Sequence, residues 1–173
     1  MVTERNIVLM GFMGVGKSAV GEFVAARLNR RYVDLDAEIV KAAGKSIAEI
    51  FAASGEDGFR AWESRVAAAL SASGGRVLAT GGGIVLDPAN VNALGERGIL
   101  ICLDASIESI LRRVADDHGR PLLKNTDRRR RLHELFEARR HLYEALPYHI
   151  DTEGLSVEAV ADRVIEIASS VPD

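Results

Sequence analysis

A glycine-rich segment near the amino terminus carries the strongest chemical signal in this sequence. Residues 11–18 read GFMGVGKS, in which four residues separate two glycines and lysine and serine follow. Glycines let backbone N–H groups turn toward a bound anion, and the start of a following helix adds the positive end of its dipole. We therefore predict that this loop binds the phosphates of a nucleoside triphosphate. The predicted contacts are Gly14, Val15, Gly16, Lys17, Ser18 and Ala19.

Two side chains of this loop have separate expected roles. Lys17 is placed to reach the β and γ phosphates, and the Ser18 hydroxyl is placed to ligate Mg²⁺. Hydrolases, switches and kinases share such a loop, so the motif alone does not identify the reaction.

Two acidic residues follow the second predicted strand. Asp34 and Asp36 alternate at its carboxyl end, which is the edge of an α/β sheet where ligands bind. One of the two can face a metal ion while the other faces a substrate. The alternative is that they cap a helix and place negative charge in its first turn. The phosphate loop favours the functional interpretation.

A glycine triplet and one arginine are further candidates. Residues 81–83 are all glycine and follow the third predicted strand, where they allow close approach of the backbone to a ligand or form a flexible connector. Arg60 lies in a helical stretch with Glu56 and Glu63 at helical spacing. An exposed ion-pair lattice would give the same spacing, so the pattern does not decide the role of Arg60.

Short apolar runs alternate with amphipathic stretches along the chain, as in proteins built from βαβ units. The runs are apolar throughout, which is typical of parallel strands covered on both faces. We predict an α/β protein of three layers, αβα, with a five-stranded parallel sheet, helices on both faces and the P-loop NTPase fold. The predicted strands are 7–10, 32–35, 77–79, 99–103 and 148–151; the predicted helices are 17–29, two or three between 37 and 71, 88–96, 106–115, 127–145 and 157–169.

Length and loop composition indicate one domain with a closing loop. The 173 residues fit a single domain, 1–173. The polar stretch 116–125 carries Gly119 and Pro121 between two strong helical patterns, so we predict a lid loop at about 114–126.

Composition excludes several classes of partner. Hydrophobic residues make up 47% and charged residues 27% of the chain, which is typical of soluble globular proteins. The net charge of −3 gives no attraction to polyanions, so we expect neither nucleic acid nor a membrane as a partner. The four arginines at 128–131 lie in a helical pattern near acidic residues and are interpreted as a solvated helix face.

The cysteine and histidine content favours a reducing compartment. Cys102 is the only cysteine and lies in an apolar run, so we expect a buried core residue and a cytoplasmic protein. The four histidines and this cysteine show no metal-ligand spacing along the chain, so no structural zinc site is predicted.

Taken together, these motifs make the sequence similar to the shikimate kinase family, from Asn6 to about Ile167. Besides the phosphate loop, the resemblance rests on ordered blocks that are far more specific than the loop itself. They are residues 34–36 (DLD), 55–60 (GEDGFR) followed by Glu63, 79–83 (ATGGG), 119–123 (GRPLL) and 139–143 (RRHLY).

The resemblance implies a reaction and a set of roles. It implies transfer of the γ-phosphoryl group of ATP to the 3-hydroxyl of shikimate, with ATP and Mg²⁺ as cofactors and a helical insertion at about 36–64 for substrate binding. Shikimate binding is implied for Asp36, Arg60, Gly82, Gly83 and Arg139, with the arginines on its carboxylate. Metal binding is implied for Ser18 and Asp34, contact with the nucleotide for Arg113 and Arg120, and catalysis for Lys17, Asp36 and Arg120.

Some positions depart from the family pattern. His141 stands where many relatives have proline, and Val157 where some have proline in the adenine loop. Arg140 beside Arg139 leaves a one-residue ambiguity, and the fixed distance from residues 142–143 favours Arg139. The alternatives are a P-loop kinase for another small hydroxy acid such as gluconate, or a catalytically silent ligand-sensing domain. We expect a monomer.

Overall fold

Five parallel strands form one sheet in the computed structural model, which describes residues 4–114 and 127–172. The order across the sheet is β2-β3-β1-β4-β5. This confirms the predicted fold class, and each strand lies within two residues of its predicted bounds. The strands are β1 (Asn6–Met10), β2 (Arg31–Asp34), β3 (Arg76–Ala79), β4 (Gly98–Asp104) and β5 (Tyr148–Asp151).

The centre of the sheet is apolar on both faces. Every residue of β1 is buried, and Leu9 is in register with Ala79 on one side and Ile101 on the other. A strand with neighbours on both sides and helices above and below exposes no face to water, which explains the continuous apolar runs. Cys102, next to this centre in β4, is fully buried as expected.

Seven helices and one short 3-10 turn connect the strands in the described residues. The 3-10 turn at Ile84–Leu86 follows the glycine triplet and was not predicted. Leu35 begins the second helix, so the predicted strand 32–35 was one residue too long. The helices are α1 (Lys17–Leu28), α2 (Leu35–Ala43), α3 (Ile47–Ser71), α4 (Pro88–Glu96), α5 (Ile107–Val114), α6 (Arg128–Glu144) and α7 (Val157–Ser170).

Helix α3 contains a sharp bend. A capping box between Ser46 and Glu49 fixes its start, because each side chain bonds the backbone N–H of the other. At Gly55 the dihedral angles are φ 66° and ψ −166°, which only glycine adopts without strain. The bend separates the first turns of the helix from the segment that carries Arg60.

Helices pack against the strands of the sheet and against one another. Helix α1 packs against β2 and β3 and contacts α7, while α4 packs against β4 and contacts α3. Among residues 4–114 and 127–172, no helix is long and apolar enough to pass through a lipid bilayer. The predicted lid at 114–126, including Arg120, lies outside the described residues apart from Val114.

Candidate active site

The phosphate loop forms a turn that only glycines permit. Gly14 has φ 79° and Gly16 has φ 101°, and α1 begins at the next residue, Lys17. A Cβ atom at Gly11 would overlap the carbonyl oxygen of Leu103, so this glycine lets the loop pass close to the end of β4. No acidic residue lies in the first turn of α1, so its dipole presents unopposed positive potential to an anion.

Lys17 is held across this loop. Its side-chain ammonium donates hydrogen bonds to the carbonyl oxygens of Gly11, at 2.7 Å, and Phe12, at 2.8 Å. Only 9% of the residue is exposed. The backbone therefore satisfies the buried charge and keeps it next to the turn that the glycines form.

Asp34 caps a helix and also contacts Ser18. One carboxylate oxygen accepts a hydrogen bond from the backbone of Ala37 at 3.1 Å and so caps α2. The other accepts from the Ser18 hydroxyl at 3.5 Å and from the Tyr32 hydroxyl at 3.4 Å. Burial, together with the Asp34 charge, raises the pKa of Tyr32 to about 12, so this hydroxyl keeps its proton. The result is a pair of hard oxygens, from Ser18 and Asp34, beside the phosphate loop.

The glycine triplet brings two carboxylates to the end of β3. A Cβ atom at Gly81 would lie 3.1 Å from an oxygen of Asp36 and 3.2 Å from an oxygen of Glu63. Asp36 comes from the first turn of α2 and Glu63 from α3. A larger residue at position 81 would push these side chains away from the sheet edge.

Gly82 and Gly83 lie against two different parts of the site. A Cβ atom at Gly82 would lie 3.2 Å from the backbone nitrogen of Met13 in the phosphate loop. At Gly83 the same atom would overlap the Arg60 guanidinium. The triplet therefore packs closely against both the phosphate loop and Arg60, and it is not a flexible connector.

Arg60 is anchored by two acidic residues of its own helix. Its guanidinium pairs with Glu63 in a close contact and with Glu56 at 3.2 Å. The predicted helical spacing is real, but only the Glu56 end of the lattice is exposed: the Glu56 side chain is 51% accessible, the Arg60 side chain 22% and the Glu63 side chain 1%. Burial alone would lower the pKa of Arg60, but the two carboxylates outweigh it and raise that pKa. Burial raises the pKa of Glu63, against the opposing effect of Arg60.

The arginines at 139 and 140 point to different surroundings. Arg139 is 5% exposed, and its charge acts on the buried Glu63 and on Tyr143. Arg140 is exposed, pairs with Glu137 and lies 5.4 Å over the ring of Phe136. Only Arg139 therefore faces the cluster around the glycine triplet, as the spacing argument favoured.

Two residues of this cluster received no role from the sequence. Glu63 holds Arg60, and the Tyr143 hydroxyl donates to the carbonyl oxygen of Gly82. Burial raises the pKa of Tyr143 to about 12, although the nearby Arg139 opposes the effect, so the phenol stays protonated and able to donate. Their positions three residues after Arg60 and four after Arg139 place each on the same helix face as its arginine, a signal that could have found both.

Two further predicted nucleotide contacts, Arg113 and Ala19, lie in the described residues. Arg113, in the last turn of α5, donates to the carbonyl oxygens of Val15 at 3.2 Å and Gly14 at 3.4 Å. Ala19 is exposed in the first turn of α1.

Comparison with known proteins agrees with this arrangement. The family model described as shikimate kinase matches residues 13–169. A shikimate kinase of Geobacter sulfurreducens is 48% identical over 167 residues, which cover 96% of this chain and 91% of that protein.

Solved structures of other proteins share the fold of this chain. A shikimate kinase from Acinetobacter baumannii, solved in complex with shikimate, superposes with a TM-score of 0.90 at 37% identity, covering 95% of this chain and 93% of that one. A gluconokinase from Sinorhizobium meliloti reaches a TM-score of 0.63 at 16% identity, covering 97% and 93% of the two chains, which is a likeness of fold alone. The chain belongs to the shikimate kinase family.

Proposed function

We propose that this protein transfers the γ-phosphoryl group of ATP to the 3-hydroxyl of shikimate, giving shikimate 3-phosphate and ADP. The observation that carries the proposal is the contact through the glycine triplet, which sets an anion-binding loop directly beside a cluster of two arginines and two carboxylates. The hydroxyl oxygen forms a bond to the γ phosphorus while the bond from that phosphorus to the β–γ bridging oxygen breaks. The hydroxyl proton passes to a base of the protein.

The cluster suits a small ring acid with several hydroxyl groups. The guanidinium groups of Arg60 and Arg139 bind its carboxylate, because planar N–H donors match a carboxylate in geometry and charge. Backbone groups of Gly82 and Gly83 approach the ring closely, since neither carries a side chain. Asp36 orients the attacking hydroxyl and accepts its proton, which requires hydrogen-bond reach more than a shifted pKa.

At the phosphate end, Lys17 neutralises charge that develops on the β and γ phosphates. Mg²⁺ fits the pair formed by Ser18 and Asp34, because both offer hard oxygen ligands close to the loop. When bound, the ion supplies further neutralisation of the phosphate charge. Arg113 contacts the nucleotide from α5, and Arg120 is assigned to the lid that closes over the phosphates and excludes water.

The organisation proposed around this site is a single kinase domain, 1–173. The helical insertion at about 36–64 carries the acceptor and the lid at about 114–126 covers the donor. The single cysteine is buried, which suits a reducing cytoplasm. We propose that the protein acts as a monomer on small molecules, without nucleic acid.

Three acceptor conditions test the reaction. Release of ADP is measured in a coupled assay with ATP and Mg²⁺, using shikimate, gluconate or no acceptor, and the product is located by phosphorus NMR. We expect rapid ADP release with shikimate only. Turnover with gluconate but not shikimate would contradict the proposed acceptor. Shikimate binding by calorimetry without ADP release would identify a silent ligand-binding domain.

The adjacent arginines provide a matched pair of variants. Arg139→Ala is expected to raise the KM for shikimate by roughly tenfold or more, because a charge-assisted partner of the carboxylate is lost. Arg140→Ala removes an equal charge one residue away, where the side chain faces Glu137 and Phe136. Its KM for shikimate should remain close to that of the parent enzyme. The reverse result in steady-state kinetics would exchange the two assignments.

A single methyl group tests the contact between the triplet and Arg60. The backbone of Gly83, at φ −92° and ψ −2°, suits alanine, so Gly83→Ala acts mainly by displacing the guanidinium. We expect the KM for shikimate to rise several-fold, and thermal stability to fall less than in Arg60→Ala, because the guanidinium is displaced and not removed. Gly95→Ala in α4, where the methyl group meets only ordinary contacts with Leu100, is the control. Equal KM values for the two variants would show that Arg60 does not need its observed position.

A further inference from the structure

Three side chains with metal-ligating atoms converge at the carboxyl ends of β4 and β5. Cys102 and His149 are register partners on these neighbouring parallel strands. Asp104 follows Cys102 by two residues and therefore lies on the same face of the sheet. One ligand atom from each of the three residues lies within 4.8 Å of the other two.

The contacts of His149 direct one ring nitrogen at Asp104. Nε2 lies 3.0 Å from the carbonyl oxygen of Leu146, which can only accept, so Nε2 is the donor of this hydrogen bond. Nδ1 faces a carboxylate oxygen of Asp104 at 2.8 Å. Both of these facing atoms are of kinds that ligate Zn²⁺ in proteins.

The second bond of His149 is the kind that accompanies metal ligation. Histidines that bind metals usually donate their other ring N–H to a carbonyl or carboxylate group, which fixes the ring and its tautomer. The Leu146 carbonyl holds His149 in this way, with Nδ1 directed at Asp104. The ring is thus oriented before any ion arrives.

The donor atoms suit a tetrahedral transition metal, and they lie slightly closer together than the ligands of a bound ion. Zn–N, Zn–O and Zn–S bonds in proteins imply ligand-to-ligand distances of about 3.3–3.7 Å in a tetrahedral site. The Cys102 sulfur lies 3.3 Å from one oxygen of Asp104, and His149 Nδ1 lies 2.8 Å from the other. Small side-chain shifts would open the site to a bound ion.

The chemistry of the thiol selects the class of ion. A sulfur, nitrogen and oxygen donor set favours zinc or cobalt over Mg²⁺, which prefers oxygen ligands.

A neighbouring cavity gives the site an open side. Asp104 and His149 line a cavity of about 320 Å³ that also contacts Phe12, Tyr143 and Glu144. Three-ligand zinc sites keep a fourth position for water or another small ligand, and this cavity provides the room.

We propose that Cys102, Asp104 and His149 bind one Zn²⁺-class ion, with its fourth position open to the cavity behind the phosphate loop. The site uses none of the residues assigned to shikimate, ATP or Mg²⁺. Its existence therefore does not depend on the proposed reaction.

Metal titration of the full chain tests the site. The chelator-treated protein is titrated with Zn²⁺ against a chromophoric chelator, in excess Mg²⁺, and with Co²⁺ while the spectrum is recorded. We expect one ion per chain and a near-ultraviolet thiolate-to-cobalt band, which only Cys102 can supply because the chain has one cysteine. Lys17→Ala should bind Zn²⁺ as the parent does.

Ligand variants and a matched histidine locate the ion. Cys102→Ser and His149→Gln should each weaken Zn²⁺ binding by tenfold or more, while His141→Gln, an exposed histidine of α6, should leave it unchanged. Unfolding curves in chelator confirm that the buried Cys102→Ser variant folds, and the partly exposed His149→Gln variant tests the site independently.

Three results would overturn the site. They are binding that His149→Gln does not weaken, absence of the thiolate band, and nitrogen NMR showing a His149 imidazolium that Zn²⁺ does not displace. The last outcome would mean that a proton, and not a metal ion, lies between His149 and Asp104.

Discussion

Replacement of Lys17 by alanine is expected to reduce kcat by roughly 10²–10³-fold or more, the effect of removing one preorganised donor from a developing charge. The ammonium lies across the phosphate loop, held by the carbonyl oxygens of Gly11 and Phe12. In the proposed reaction it neutralises charge on the β and γ phosphates. Steady-state ADP release with saturating shikimate and ATP measures the effect.

The controls separate lost chemistry from lost structure. Removing the ammonium leaves two loop carbonyls without this donor, at a cost of about 1–3 kcal/mol for each one that stays buried and unpaired. Lys17→Met retains the length of the side chain, and Lys41→Ala removes a lysine that is 73% exposed. Both Lys17 variants should bind shikimate and unfold cooperatively. Parent-like turnover in either of them would remove Lys17 from the mechanism.

The conformation of residues 11–18 and their place in the fold could both be predicted from the sequence. The glycines specify φ angles that other residues avoid, and the lysine and serine must follow where the helix begins, so spacing alone carries the geometry. The strands could also be predicted from the sequence, because a central parallel strand is buried on both faces and therefore has an unbroken run of apolar residues.

Contacts between distant segments could not be predicted in the same way. Glu63 looked like half of a surface ion pair, and only the packing of α3 against the end of β3 buries its carboxylate. Cys102 and His149 are 47 residues apart in the chain, and the pairing of β4 with β5 makes them neighbours. The periodicity of apolar residues indicates which face of a helix or strand is buried, but it does not indicate which residues that face contacts.

Asp34 shows that two interpretations of one residue need not exclude each other. The sequence allowed a helix cap or a ligand-binding acid; one carboxylate oxygen caps α2 at Ala37, and the other, which contacts Ser18, stays a predicted metal ligand. A sequence pattern does not show which oxygen of a carboxylate makes which contact.

Arg60→Ala is expected to raise the KM for shikimate by roughly 10–100-fold, the scale of one to two charge-assisted hydrogen bonds. The KM for ATP should change much less, because Arg60 lies on the acceptor side of the glycine triplet. Arg65→Ala is the control, since Arg65 lies on the same helix but stacks on Trp62, 4.5 Å from the ring centroid. Equal changes in the two KM values would refute the assignment of Arg60 to the carboxylate.

Arg60→Ala should also be less stable than the parent protein. A second substitution, Glu63→Gln, separates this loss of stability from the loss of shikimate binding. Without Arg60, the carboxylate of Glu63 is buried with one fewer partner, which costs up to about 3–5 kcal/mol. The pKa of Glu63 is already raised in the parent, and loss of Arg60 raises it further. A folded-state pKa above the unfolded value stabilises at low pH, and this stability is lost as pH rises. The deficit of Arg60→Ala, measured by denaturant unfolding, should therefore grow as the pH rises above the ordinary pKa of a glutamate.

Adding Glu63→Gln should remove most of this pH-dependent deficit, because the amide carries no charge to leave unpaired. It should not restore shikimate affinity, since neither variant has a guanidinium at position 60. Recovery of both stability and affinity in the double variant would mean that Arg60 acts only as the partner of Glu63. Recovery of stability alone, with the KM for shikimate still high, is the result that contact between Arg60 and the substrate requires.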